Sequence, residues 1–291
     1  MSFDVVSAEK AGIPVATLCR ALGVSRSGFY ARLRRGESLR SRRAKQRDLE
    51  VAAVFREKRG RYGAPRVREV LRTRGENVSR KAVAKSMRNQ GLVARPKRRF
   101  VITTDSSHGR RAPKNLVARD FSPAAPNRVW VADTTYLPTQ VGFIYLVVVL
   151  DLFARRVVGW AVGDALSANL AALGLRRALE ARRPGRKLIV HTDRGSEFLS
   201  SPWRAALDSV SALASASATG SCYDNAVAES FFSTLEFEGP RTYGWRGSED
   251  AERELPQFLD DWYNNERLHS FNSHVSPSAA EARWNLNRMA A

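Results

Sequence analysis

Three closely spaced runs rich in Val, Ile, Tyr and Trp constrain the fold of this chain more than any other feature. They occupy residues 129–137, 143–152 and 155–162. Residues of these types in short runs are typical of β-strands. The connections between the runs are too short for a crossover between parallel strands, and one contains Gly142. The sequence therefore predicts an antiparallel meander of three strands.

The part of the chain after the meander alternates between helical and strand patterns. Ser167 is suited to cap a helix that runs to about residue 181, and Ser248 a last amphipathic helix that runs to about residue 263. Between them the pattern predicts a strand over 187–192, a helix over 202–207, a strand over 212–216 and a helix over 224–237. This is the mixed α/β (α+β) order of a ribonuclease H-like fold.

The N-terminal residues 12–33 have the pattern of a helix-turn-helix. Apolar residues recur at helical spacing up to Leu22, Gly23 breaks the first helix, and Ser25 can cap the second. The second helix would present Arg26 near its N-terminus, as a DNA-reading helix does. The alternative is a small helical hairpin that only packs.

Residues 60–94 are predicted to form a second helical module. One of its helices begins after Ser79, a suitable N-cap, and ends at Gly91, a suitable C-cap. Basic residues on its exposed faces are suited to phosphate contact, which positions DNA without reading its sequence. The candidate DNA-binding residues of this module are Arg66, Arg68, Arg80, Lys81 and Lys85.

The distribution of charge is more informative than its total. The chain has a net charge of +19 and a pI near 10.9. Residues 1–120 contain 31 Lys and Arg against 10 Asp and Glu, whereas residues 121–291 contain 17 against 19. A solvated basic face is the alternative, but such an excess favours a polyanionic partner, most often a nucleic acid.

Together these patterns predict four segments. Residues 1–59 hold the helix-turn-helix and a basic helical segment, and 60–94 the helical DNA-binding module. Residues 95–126 are a basic linker, and 127–283 a catalytic core with a C-terminal helix.

Several common protein classes are excluded. The longest apolar run, 144–150, is far shorter than the roughly 20 residues of a membrane span, and the N-terminus has no signal layout. We therefore expect a cytoplasmic protein without a membrane partner. Cys19 and Cys222 have no C-x-x-C spacing, which argues against a disulfide framework or a zinc site. The chain also lacks a G-x-S-x-G elbow and a G-x-x-x-x-G-K-[ST] phosphate loop.

Three carboxylates stand out from the other acidic residues by their context. Asp133 in V-W-V-A-D-T-T-Y and Asp193 in H-T-D-R-G each end an apolar run, and Glu229 lies in the helical pattern D-N-A-V-A-E-S-F-F. Carboxylates are preferred ligands of Mg²⁺, and two such ions roughly 4 Å apart promote phosphoryl transfer. The alternative is ordinary surface charge, since the chain has 29 acidic residues.

The roles of the residues around these carboxylates are indicated less specifically by the sequence. His191 should face the same side as Asp193, where it could orient a phosphate or serve the structure. Asp224 and Asn225 are predicted to cap the helix that carries Glu229. Further along, Glu238 is expected on the surface. Two residues near the C-terminus could contact DNA or simply complete the fold, namely Arg267 and His269.

Five motifs in order resemble the OrfB product of bacterial insertion sequences, a group of DDE transposases in the retroviral-integrase superfamily. They are W-V-A-D-T-T-Y, D-L-F-A-R-R-V-V-G-W, H-T-D-R-G-S-E-F, G-S-C-Y-D-N-A-V-A-E-S-F-F and Y-N-N-E-R-L-H-S. R-Y-G-A-P-R-V-R-E-V-L extends the resemblance ahead of the core, so that it covers nearly the whole chain.

The resemblance implies a ribonuclease H-like integrase catalytic core that cleaves and joins strands at insertion-sequence ends. It assigns the catalytic and metal-binding roles to Asp133, Asp193 and Glu229, with two Mg²⁺ ions that Mn²⁺ can replace. It also implies double-stranded DNA as the partner, both as element ends and as target, and a homo-oligomer on that DNA. A nucleoid-associated bacterial location and an OrfA product as a partner or fusion are implied as well.

One residue departs from the family pattern. Members usually have Lys or Arg seven residues after the catalytic glutamate, and this chain has Glu236. Two rival functions follow from the sequence. The first is a catalytically impaired or repurposed DNA-binding protein derived from such a transposase. The second is a general ribonuclease H-like nuclease, which would cleave without regard to end sequence.

Overall fold

The computed structural model describes residues 2–34, 38–94, 112–218 and 225–290. The chain divides into two compact units, Met1–Ala94 and Arg95–Ala291. The first unit therefore combines the two N-terminal segments that were predicted separately. Of the predicted linker, residues 95–111 lie outside the described residues, and 112–126 belong to the second unit. There the backbone amide of Leu116 donates a 2.9 Å hydrogen bond to Ser215 Oγ.

The first unit begins with three short helices, α1 (Ser2–Glu9), α2 (Val15–Ala21) and α3 (Arg26–Arg34). Gly23 lies between α2 and α3 at a φ of +64°, a conformation that glycine adopts without strain. The predicted pair of helices with a break at Gly23 is therefore present. A small buried cluster holds the three helices together, made of Val6, Leu18, Cys19 and Phe29.

Three further helices complete this unit, α4 (Leu39–Glu57), α5 (Ala64–Thr73) and α6 (Arg80–Asn89). Each of them contacts the other two. The Ser79 side chain accepts a hydrogen bond from the amide of Ala82, as its predicted role as the N-cap of α6 requires. Gly91 follows α6 at a φ of +64°, which agrees with its predicted role at the helix end.

The second unit is built on a mixed five-stranded sheet. The strands β1 (Val129–Thr139), β2 (Gly142–Asp151) and β3 (Arg156–Gly163) form the predicted antiparallel meander. On the other side of β1, the strands β4 (Ile189–Thr192) and β5 (Leu213–Ala216) run parallel to it. The order β3-β2-β1-β4-β5 confirms the predicted ribonuclease H-like architecture.

Two helices cover one face of the sheet, α7 (Ala168–Arg182) and α8 (Ser201–Asp208). Ser167 caps α7 as predicted, because its side chain accepts a hydrogen bond from the amide of Leu170. Helix α7 lies very close to β3, since a Cβ on Gly159 would meet Ala178 Cβ at 2.5 Å. Trp130, Ala132 and Val190 point into the core beneath these helices.

The remaining helices follow β5. Helix α9 (Ala226–Glu238) contacts β1, and a short 3₁₀ turn at Thr242–Gly244 leads to α10 (Ser248–Pro256). The predicted last helix continues from α10 as a π-helix, Gln257–Glu266. The structure adds α11 (Pro277–Ala290), which was not predicted. No described helix is both long and apolar enough to cross a membrane.

The predicted capping role of Ser248 is corrected by the structure. Ser248 is the first residue of α10 rather than its cap. Both its amide and its hydroxyl donate to the carboxylate of Asp164, each at 2.9 Å. Asp164 follows β3, so a side chain distant in sequence satisfies the start of the helix.

Candidate active site

The two aspartates lie on neighbouring strands at matching positions. Strands β1 and β4 are parallel, and Val131 lies opposite His191 in their register. Asp133 and Asp193 each follow two residues after this pair. Since side chains alternate along a strand, Asp133 points to the face opposite Trp130 and Ala132. The sheet therefore brings both aspartates to one level, on the face not covered by α7.

Helix α9 brings the third carboxylate to this face. Asn225 precedes Glu229 by four residues, so the two side chains lie on one side of the helix. The Asn225 amide Nδ2 donates a 2.7 Å hydrogen bond to Asp133 Oδ2. This bond ties the start of α9 to β1 and directs Glu229 toward the aspartates.

The predicted role of Asn225 as a helix cap is thereby corrected. It occupies the N-cap position of α9, but its side chain makes no capping hydrogen bond. Asp224, predicted to share that role, lies outside the described residues. The side chain of Asn225 reaches Asp133 instead, because the helix starts directly over the strand.

The carboxylates share one electrostatic environment. Burial is the main cause that raises the pKa of Asp133 well above its ordinary value, followed by the negative charge of Asp193. The carboxylates of Glu197 and Glu229 act in the same direction, and the hydrogen bond from the Thr134 amide opposes them. Burial also raises the pKa of Glu229. The structure thus brings Asp133, Asp193 and Glu229 together as neighbours.

Glu197 is a fourth carboxylate that the sequence analysis did not identify. Its side chain folds back over Gly195, where an added Cβ would lie 2.7 Å from Glu197 Oε2 and 3.0 Å from Asp193 Oδ1. The Gly195 amide donates a 2.8 Å hydrogen bond to Asp193 Oδ1. A side chain at position 195 would therefore require the Glu197 carboxylate to shift. The available signal was the position of Glu197 four residues after Asp193 in H-T-D-R-G-S-E.

The donor set fits a hard divalent cation. All the clustered side chains offer oxygen, and Asn225 Oδ1 is buried with no hydrogen-bond partner among the residues that the structure describes. Within the described part of the chain, no group of three His, Cys, Asp or Glu side chains is arranged so that it could hold a metal ion. Repulsion among like charges favours such an open arrangement.

The environment of His191 favours its structural alternative. The ring is fully buried, with Nδ1 2.8 Å from Ser215 Oγ and Nε2 3.3 Å from Ser217 Oγ. Both serines come from β5 or the residues directly after it. His191 therefore fastens β4 to β5 beneath Asp193.

The structure does not support the predicted DNA contact of Arg267. Its guanidinium is buried and donates to both carboxylate oxygens of Glu238, each at 3.1 Å, and to Thr234 Oγ1. The prediction that Glu238 lies on the surface is wrong for the same reason. This pair fastens the end of the π-helix to α9. His269 is half-buried, and its ring stands edge-on to Tyr263.

The remaining predicted DNA-binding residues lie in the first unit. The Arg68 guanidinium already makes hydrogen bonds within the fold, because it donates to Glu69 and to the carbonyl oxygen of Val78. Arg66 is half-buried and stacks over the ring of Tyr62 at 5.4 Å. The others have exposed side chains on α3 or α6, namely Arg26, Arg80, Lys81 and Lys85.

Known protein families match both units. An integrase core domain matches residues 123–222, and a second integrase core domain model matches 211–277. An HTH-like domain matches residues 41–100, which include α4 to α6. The fold, the gathered carboxylates and these matches define a DNA-recombining protein of the DDE superfamily.

Relatives identify the family more closely. The transposase InsF of insertion sequence IS3A from Escherichia coli (strain K12) is 36% identical over 97% of this chain and 98% of that protein. An uncharacterized 31 kDa protein of insertion element IS600 from Shigella sonnei is 34% identical over 92% of this chain and 98% of its own length. The chain belongs to the insertion-sequence transposase family that includes InsF, and it acts in DNA transposition.

Solved retroviral integrases also show a distant similarity. The simian T-cell lymphotropic virus intasome, in complex with the PP2A regulatory subunit B56 gamma, matches with a TM-score of 0.46 and 15% identity over 59% of each chain. The magnesium-bound catalytic core domain of HTLV-2 integrase matches with a TM-score of 0.40 and 15% identity, over 54% of this chain and 98% of that one.

Proposed function

We propose that Asp133, Asp193 and Glu229 are the catalytic, metal-binding residues of a Mg²⁺-dependent transposase. The observation that carries the proposal is the placement of the three carboxylates. Asp133 and Asp193 follow matching positions of the parallel strands β1 and β4, and α9, which carries Glu229, is tied to Asp133 through Asn225. Clustered carboxylates repel one another, and a divalent cation relieves that repulsion. Two Mg²⁺ ions at such a site, or Mn²⁺ in their place, supply activation of the attacking oxygen and stabilisation of the leaving oxygen.

The chain's own residues hold this site in position. Asn225 orients the Asp133 carboxylate, and the Gly195 amide orients that of Asp193. Glu229 approaches from α9, which the Arg267–Glu238 pair ties to the π-helix. Such support matters because a catalytic group must be held in its productive geometry before reaction.

The reaction on DNA consists of a hydrolysis followed by a transesterification. Water attacks the phosphate at the end of the element, and the bond between phosphorus and the element's 3′ oxygen breaks, which leaves a 3′-hydroxyl on the element and a 5′-phosphate on the flanking strand. That hydroxyl then attacks a phosphate of the target, and the target's 3′ oxygen leaves. Each step exchanges one P–O bond for another, so ATP is not required.

The first unit is proposed to hold the DNA. Side chains on α3 and α6 are exposed and basic, as phosphate contacts require. We assign contacts to Arg26, Arg66, Arg80, Lys81 and Lys85, and a weaker one to Arg68, whose guanidinium also serves the fold. His269, beside Tyr263 in the second unit, remains a candidate contact.

The assembled form is part of the same proposal. We expect a homo-oligomer on DNA, because two element ends must be brought to one target. An OrfA product, separate or fused, would add a further DNA-binding helix-turn-helix. Such a complex would be located at the bacterial nucleoid.

A strand-joining assay tests this function. Labelled duplexes carrying the terminal repeats of the element are incubated with the full chain and plasmid target, with Mg²⁺ or with EDTA. Joined products are expected only with Mg²⁺ and only with the native ends.

Duplexes with scrambled end sequences distinguish the transposase from the two alternative functions. Equal cleavage of native and scrambled duplexes would instead identify a general nuclease. Tight binding of native ends without any cleavage or joining would identify a DNA-binding protein that has lost catalysis.

A further inference from the structure

A second cationic site lies in the integrase core, away from the carboxylates. A cavity of about 510 Å³ opens between the start of β1, the end of α7 and helix α11. Its lining includes Arg128, Arg186 and Arg288. Arg128 directly precedes β1, and Asp133 follows five residues later. At about 3.3 Å per residue the two positions are roughly 17 Å apart along the strand.

The acidic residue of this cavity is already neutralised. Glu281 is buried, and its carboxylate accepts hydrogen bonds from Arg156 at 2.6 Å and from Arg182 at 2.8 Å. Arg182 also donates to Asn127 Oδ1 and lies 3.6 Å from Asp151. These side chains form one ion-pair network around the buried Glu281, which anchors α11 to the sheet, and both of its guanidinium groups are paired with carboxylates.

The three lining arginines, in contrast, are not neutralised by any carboxylate of the described residues. Each has an exposed side chain, and no guanidinium of the three makes an ion pair or a hydrogen bond with a residue that the structure describes. Arg288 lies over the ring of Trp284 at 5.4 Å, which holds its guanidinium at the cavity wall. Trp284 is fixed in turn by the edge of Phe153 at 5.8 Å. The cavity therefore combines three unneutralised positive charges with a rigid aromatic wall.

Phosphate is the ligand chemistry that this arrangement suits. Guanidinium groups bind phosphate oxygens through paired hydrogen bonds, and they are more readily desolvated than ammonium groups. Several arginines around one opening match the closely spaced charges of a DNA backbone. Because the site faces the opposite end of β1, it does not hold the phosphate that reacts.

We propose that this cavity is a second DNA-binding site, in which Arg128, Arg186 and Arg288 bind backbone phosphates of a DNA segment distinct from the one at the carboxylates. The ligand class rests on the proposed function, but the site needs neither the metal nor the catalytic residues. Truncation of the chain before α11 would remove the site, because Trp284 and Arg288 belong to that helix.

Arginine footprinting on the full chain tests the site directly. The protein is treated with phenylglyoxal, with and without a linear duplex of arbitrary sequence, and each arginine's modification is measured by mass spectrometry. We expect DNA to protect Arg128, Arg186 and Arg288 several-fold. Exposed arginines elsewhere in the same unit, Arg176 and Arg204, serve as matched controls and should stay reactive.

Charge removal gives a second readout. Replacing the three arginines by Gln should lower the slope of log K against log salt by about 2 to 3, since each phosphate contact contributes about 0.9. The control triple variant Arg176→Gln/Arg204→Gln/Arg241→Gln removes the same charge from exposed positions outside the cavity. It should change the slope much less.

Other footprints would overturn the proposal in distinguishable ways. Protection of Arg80 on α6, without protection at the cavity, would remove the second site and leave the transposase function intact. Protection at the cavity that depends on protein concentration, without DNA, would make a second copy of the chain the occupant. Protection of no arginine at all would contradict both this site and the proposed DNA contacts.

Discussion

The amide of Asn225 donates a 2.7 Å hydrogen bond to Oδ2 of Asp133, across 92 residues of sequence. The other carboxylate oxygen, Oδ1, accepts from the Thr134 amide at 2.7 Å. Asp133 is thus held at both oxygens, once by its own strand and once by the helix that carries Glu229. Asn225 therefore acts as a positioning residue for the site.

Asn225→Ala should weaken the binding of Mg²⁺ at the site and leave the stability of the fold nearly unchanged. Loss of a residue that orients a metal ligand costs about 10- to 100-fold in metal affinity or activity. We expect strand joining to need correspondingly more Mg²⁺, which a titration of Mg²⁺ would measure. Because the Asn225 side chain does not cap α9, thermal stability should change little.

Ser230→Ala, at an exposed position on the same helix, is the matched control. An unchanged Mg²⁺ requirement in Asn225→Ala would show that the hydrogen bond to Asp133 does not position the site.

Asp133→Asn should abolish joining and stabilise the metal-free protein. The pKa of Asp133 is raised in the folded state, so the folded protein holds that proton more tightly than the unfolded chain does. The charged carboxylate therefore costs stability that grows as the pH rises above the ordinary Asp value, near 3.9. Asn carries no charge, and the Asn225 amide can flip to pair with it, since Asn225 Oδ1 has no partner in the described part of the chain.

Melting curves in EDTA at pH 5 and pH 8 measure this effect. The advantage of Asp133→Asn over the wild type should be larger at pH 8, and Mg²⁺ should stabilise only the wild type. An advantage that shrinks as the pH rises would mean that the folded protein does not raise the pKa of Asp133.

Arg267→Met should destabilise the second unit by about 3 to 5 kcal/mol, because it leaves the Glu238 carboxylate buried without its partner. All six tryptophans lie beyond residue 94, so denaturation followed by tryptophan fluorescence reports this unit alone. In the double variant Glu238→Gln/Arg267→Met the loss should be smaller than in Arg267→Met. A loss within about 0.5 kcal/mol for the single variant would instead be typical of a surface position and would restore Arg267 as a candidate DNA contact.

Glu236→Lys should improve DNA binding and joining. Glu236 is exposed on α9, seven residues after Glu229, so the two side chains lie along the same side of the helix. Reversal of a charge beside the path of the DNA should raise affinity from a few-fold to about tenfold at low salt, and the salt slope by about 1. Fluorescence anisotropy with labelled end duplexes measures both.

Glu254→Lys makes the same charge change at an exposed position on α10. If both variants bind DNA equally well, the gain reflects total charge, and α9 does not run beside the DNA.

Features that depend on local sequence patterns could be predicted from the sequence. Apolar runs predicted the meander and the two strands that follow it in sequence, and Ser79 and Ser167 cap helices as expected. The order of these elements then identified the ribonuclease H-like sheet. Local signals succeed here because strand and helix periodicity is read directly from neighbouring residues.

Features that depend on distant partners were not predicted. The pairing of Glu238 with Arg267 spans 29 residues, and that of Arg156 with Glu281 spans 125. Asn225 has the sequence context of a cap, yet its bond to Asp133 depends on where α9 lies over β1. Such partners come together only in the folded chain. Glu197 and α11 were also not predicted.

The central claim is that Asp133, Asp193 and Glu229 together carry out strand transfer, and Asp193→Asn tests it most directly. Asp208→Asn is the control, since Asp208 is exposed at the end of α8. Covalent joining of labelled end duplexes to target DNA in Mg²⁺ is measured, together with the Kd of each protein for the same duplex. We predict that Asp193→Asn binds at least as tightly as the wild type but joins more than about 100-fold more slowly. Asp208→Asn should behave as the wild type, and joining by Asp193→Asn at the wild-type rate would contradict the account.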